Sequence, residues 1–104
     1  MAGPASNEKV KRRADWALLV AYHEAKLSDL LEHVREGFDR YDAGEIDAFA
    51  LDDLIHRYQQ AAKELWKFCA VSGGHVQTAV GMLQLWRERG EEPDWWQSAE
   101  RTRR

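Results

Sequence analysis

Residues 37–69, GFDRYDAGEIDAFALDDLIHRYQQAAKELWKFC, decide the fold. In their middle, DAGEID (42–47) carries Gly44, which permits a turn, and two aspartates, Asp42 and Asp47, either of which can cap a following helix. Beyond the turn, Leu51, Leu54, Tyr58, Ala61, Leu65, Phe68 and Ser72 recur at spacings of 3, 4, 3, 4, 3 and 4. Ile55, Ala62 and Cys69 broaden that stripe. The period is that of an amphipathic helix, and Gly73 and Gly74 supply its stop. The spacing predicts a helix over about 48–72.

Upstream of the turn there is no proline from Glu8 to Tyr41, and the first glycine met is Gly37. Trp16, Val20, His23, Leu27, Leu30, Val34, Phe38 and Tyr41 follow at spacings of 4, 3, 4, 3, 4, 4 and 3, with Leu19 and Leu31 widening the face. This predicts a helix over about 8–41, antiparallel to the one after the turn. A shorter third helix is expected over about 75–89, with Val76, Ala79, Val80, Leu83 and Trp86 inward, stopped by Gly90 and Pro93. The fold class is therefore all-α: a hairpin of two long helices plus a short third, with Leu27, Leu30, Val34, Leu54, Tyr58, Leu65 and Phe68 in its core.

The 104 residues are enough for one domain. Residues 1–7 have nothing to bury and read as a disordered leader, 8–90 as the helical domain, and 91–104 as an aromatic and then basic tail. A first helix of that length is ~50 Å long, whereas a compact domain of this size has a radius of gyration of ~13 Å. Two antiparallel helices of such length leave apolar stripe uncovered. A homodimer that completes a helical bundle is the expected remedy, and five tryptophans in so short a chain suit an interface.

Composition narrows the function classes. A net charge of −3 argues against a general nucleic-acid binder, although the basic ends, Lys9 to Arg13 and Arg101 to Arg104, leave a small nucleic-acid-associated regulator as a third reading. The longest apolar run, Trp16 to Tyr22, is far short of the ~20 residues that span a bilayer. The start lacks the apolar segment of a secretory signal, and a single cysteine cannot form an internal disulfide, so a cytoplasmic protein is expected.

Several constellations invite a chemical reading. Placing Gly44 at the sixth position of a calcium loop puts Tyr41, Ala43 and Ala50 where oxygen ligands are required, so the acidic turn is read as a capped turn. Asp53 and His56 form a carboxylate-x-x-His pair, and Glu32 and Glu36 lie on the first helix; doubled in a dimer, they would resemble a di-metal bundle site. This set is the rival reading, opposed by helical geometry, which turns all four toward the polar sides. His23 is expected near Trp66 and Cys69, but a cysteine on a buried face is an inert hydrophobe, so no catalytic constellation and no cofactor are expected. His33 and His75 have no spacing partner and read as solvent-facing or near a helix start. Nine acids and two arginines lie from Asp29 to Asp53, a dipolar layout that suits pairing with a basic partner or with another copy. The expected function is a non-enzymatic protein–protein interaction or scaffold role, with contacts at Asp42, Glu45 and Asp47 of the acidic turn and at Trp95 and Trp96 of the tail. Those two tryptophans either close this chain's own core or anchor a partner.

The segments IDAFALDDLIHRYQQAAKELWKFC (46–69), GGHV (73–76) and PDWW (93–96) resemble a group of small helical proteins from high-GC bacteria. The resemblance covers roughly residues 37–96 and implies an all-α fold, with no activity, cofactor or site residue attached to it.

Overall fold

The turn at 42–47 is built by hydrogen bonds that its glycine makes possible. In the computed structural model, which describes residues 4–69 and 76–102, helix α1 (Pro4–Asp42) ends as the Gly44 N–H donates to the Tyr41 carbonyl at 3.0 Å and the Glu45 N–H to the Arg40 carbonyl at 2.9 Å. That pairing requires a left-handed residue, and Gly44 sits at φ 74°. Asp47, not Asp42, starts the next helix: its Oδ1 accepts the Ala50 N–H at 2.8 Å. Helix α2 (Ala48–Cys69) then runs back along α1. Helix α3 (Val76–Arg89) ends in the same way as α1, with Gly90 at φ 66° and the Glu91 N–H bonded to the Trp86 carbonyl at 3.1 Å.

A fourth helix, α4 (Trp95–Thr102), occupies most of the segment expected to be an aromatic and then basic tail. Its start carries a legible signal: the Oδ1 of Asp94 accepts the N–H groups of Trp96 and Gln97, each at 3.1 Å. Helix α1 begins at Pro4, ahead of the expected Glu8, because proline fits a helix's first turn, where no N–H is needed. The expected end of the second helix at residue 72, its Gly73-Gly74 stop and His75 lie outside the described residues.

All described helices pack around α2 and the middle of α1, with no strand among the described residues. Leu19, Leu30, Ala61, Leu65, Cys69, Ala79, Trp96 and Ala99 form the buried cluster. Of the expected core, Leu30 and Leu65 lie in it, while Leu27, Leu54, Tyr58 and Phe68 are packed half-buried against it. Val34 is half-buried outside it.

The inward face of α1 differs from the expected one. Leu19, Tyr22, Lys26, Leu30, His33 and Gly37 turn toward the other helices, whereas Trp16, Val20, Phe38 and Tyr41 of the predicted stripe are exposed. At about 100° per residue the two sets lie roughly a quarter turn apart. The apolar residues on α1 therefore serve two faces, of which the chain itself covers one.

Gly37 explains how α1 stays continuous and still meets α2 closely. A Cβ at position 37 would lie 2.9 Å from Leu54 Cδ1, 3.1 Å from Leu54 Cδ2 and 3.3 Å from Leu51 Cδ1. Gly37→Ala is expected to change stability little, since crowding of the mobile Leu54 tip is set against a helix-propensity gain of ~1 kcal/mol. Gly37→Leu should cost about 2 kcal/mol or more in urea unfolding, because a full side chain must force the two helices apart. Equal stability of both variants would mean that α1 and α2 do not approach at this point.

Candidate interaction face

The helices α3 and α4 lie over one side of the α1–α2 pair and are fastened there by aromatic side chains. Trp96 is 8% exposed. The His33 ring of α1 stacks on it, 4.2 Å between centroids and 2° from parallel, and the Arg57 guanidinium of α2 lies 4.2 Å over the indole. Arg57 Nε also donates to the Trp96 carbonyl at 3.0 Å. Beside it, Trp95 Nε1 donates to the Tyr22 hydroxyl at 2.9 Å, and its ring packs 5.7 Å from Phe68. Phe68 in turn meets Tyr22 at 6.1 Å and Trp86 at 5.1 Å. Lys26 completes the seam with a 2.6 Å ion pair to Glu92.

Trp95 and Trp96 are thus seated on this chain's own bundle. His33, expected to face solvent, is half-buried as a stacking partner of Trp96. Neither His33 nor Arg57 stands out by spacing, because their partner lies on an element that the periodicity did not reveal.

Burial within this seam changes one titration. Desolvation is the chief cause that raises the Tyr22 phenol from its ordinary 10.0 to about 12; the Trp95 hydrogen bond acts against it, and Glu92 adds to it. The folded value lies above the unfolded one, so this contribution is fully present below pH 10 and is lost as pH rises through 12. Tyr22→Phe should lose about 1 kcal/mol near neutral pH with the Trp95 bond. Its deficit relative to the parent should shrink in urea titrations between pH 10 and 12. A deficit independent of pH would mean that the phenol titrates normally.

The remaining candidates are distributed as follows. Trp16, Val20, His23, Trp66 and Cys69 meet in one shallow cleft, as the antiparallel pairing predicted. Burial pushes the Cys69 thiol up to about 11, which keeps it protonated and a poor nucleophile beside His23. Glu32 faces Arg35 at 3.2 Å, His56 Nδ1 contacts the Asp52 carbonyl at 2.8 Å, and Glu36 and Asp53 are exposed. Those four rival ligands do not converge within one chain, and among the described residues no group of three or more His, Cys, Asp or Glu is placed to hold a metal ion. Asp42, Glu45 and Asp47 are exposed at the turn, with Glu45 3.5 Å from Arg40 and Asp47 engaged as the cap of α2. No helix among the described residues is long and apolar enough to cross a membrane.

What the chain leaves open is the opposite side of the α1–α2 pair. There Trp16 (55% exposed), Val20, Leu31, Phe38 and Tyr41 run along α1, and Trp66 (59%) joins them from α2 beside Trp16. Contiguous exposure of this kind marks a contact surface. An open crevice of about 680 Å³ between α1 and α3 is a weaker candidate, because Lys26 in its lining is already paired with Glu92 and Arg87 is exposed. Comparison of the chain with protein-family models, with curated proteins and with solved structures found no match.

Proposed function

We propose that this chain is a non-enzymatic scaffold protein that works as a homodimer, the open α1–α2 face of one copy closing against that of a second. The observation that carries the reading is the apolar row from Trp16 to Tyr41, joined by Trp66, on a side that no helix among the described residues covers. Surface area supports it. The chain exposes 7705 Å², whereas a compact monomer of 12.1 kDa exposes about 6,000 Å². The excess exceeds the ~800 Å² per partner that a stable interface buries. The molecule's 66 × 24 × 23 Å extents supply a long side on which to bury it. The acidic turn lies at one end of that side, where Asp42 and Glu45 are exposed to a basic segment. The lone, inert thiol suits a reducing, cytoplasmic setting.

Native mass spectrometry of protein purified without chelators reports subunit count and bound mass together. A dimer of unmodified mass is the expected result. A monomer at all concentrations overturns the reading. A dimer carrying one or two transition metals would instead favour the carboxylate–histidine reading with Glu32, Glu36, Asp53 and His56.

A further inference from the structure

We propose that the two copies pair antiparallel along α1, so that the basic start of each lies on the acidic turn of the other; this rests on the homodimer reading above. The spacing along the open row points to it. Read backward, the ends of the row repeat each other, so a two-fold axis near Ser28 and Asp29 sets Trp16 against Tyr41 and Val20 against Phe38, with exposed Leu31 against the half-buried Leu27 near the axis. A parallel pair would bring each basic segment against its own copy instead.

Charge fixes the same arrangement. Lys9, Lys11, Arg12 and Arg13 are exposed and have no ion-pair partner among the described residues. They stand on a part of α1 that overhangs the bundle, since α1 has 39 residues and α2 only 22. The antiparallel register carries that overhang onto the second copy's turn, where Arg13, on the same side of α1 as the open row, comes level with Glu45. Asp15 falls near Asp42, and the flanking Arg12 and Arg13 offset that repulsion.

The rigidity of α1 makes the register testable without a substitution. Lys11 and Glu45 of one chain are held about 50 Å apart by the helix between them, so a zero-length link between them can form only between chains. An equimolar mixture of light and 15N-labelled protein, dissociated, reassociated and treated with a carbodiimide, is examined by peptide mass spectrometry alongside light scattering. Links from Lys9 or Lys11 to Asp42 or Glu45 in mixed-isotope peptides are expected, within a dimer. A dimer whose mixed links join other segments overturns the register and leaves the homodimer reading standing. A monomer overturns both. Independently, Arg12→Glu with Arg13→Glu should raise the dimer Kd about tenfold. Adding Asp42→Arg and Glu45→Arg in the same chain should restore it. No change on the first reversal overturns the register.

Discussion

Trp96→Ala is expected to lower the unfolding free energy by about 3–5 kcal/mol. The indole is 8% exposed, stacked on His33 and covered by Arg57, so its removal empties a site walled by two helices that cannot both relax into it. A domain of this size has only about 5–15 kcal/mol in total. The melting temperature should therefore fall by more than about 12 °C. The loss extends beyond the ring, because α4 touches α1 and α2 through this residue and the Arg57 guanidinium is left over a void. Trp96→Phe, which keeps an aromatic face for His33, should lose roughly half as much. Urea unfolding at constant m-value is the measurement. A loss below about 1 kcal/mol for the alanine variant would mean that α4 is not docked in solution.

Val20→Glu combined with Phe38→Glu is expected to convert the proposed dimer to monomers while leaving the helix content unchanged. Both side chains are about half exposed in the single chain, so neither substitution opens the core. In a two-fold interface each residue counts twice, and a large apolar side chain contributes about 1.5–3 kcal/mol when fully buried. The combined loss corresponds to at least a thousandfold in Kd. The proposed register adds repulsion by setting the two new carboxylates against each other. Sedimentation across concentration reads the association, and far-ultraviolet circular dichroism reads the fold. Gln77→Glu, an exposed site on α3, serves as the control. A variant that remains dimeric would place the interface elsewhere.

The turn and both long helices were legible in the sequence, because Gly44, Asp47 and two periodic stripes act locally. The contact of His23 with Trp66 and Cys69 followed from the turn alone. The assignment of faces on α1 did not follow. Trp16, Val20, Phe38 and Tyr41 share a period with true core residues, and periodicity cannot distinguish a face covered by the chain from one left open. His33 was missed for a related reason: a polar aromatic ring is drawn inward by Trp96, whose helix depends on the single cap Asp94. Gly37 carries no sequence signal of its role, which is to admit Leu51 and Leu54 of α2.

The turn at Gly44 also orders assembly in time. Gly37 meets Leu54 across a short stretch of chain, His23 meets Trp66 across a longer one, and His33 meets Trp96 across one longer still. Loop-closure entropy rises along that series, so the early contacts are those nearest the bend, and each shortens the loop that the next must close. The hairpin then zips from the bend toward its open end before α4 seals it. Throughout that interval both sides of the α1–α2 pair are bare. Two nascent hairpins that meet then have a choice of faces, and the sealing of one side by Trp96 is what would leave a single face for the proposed second copy.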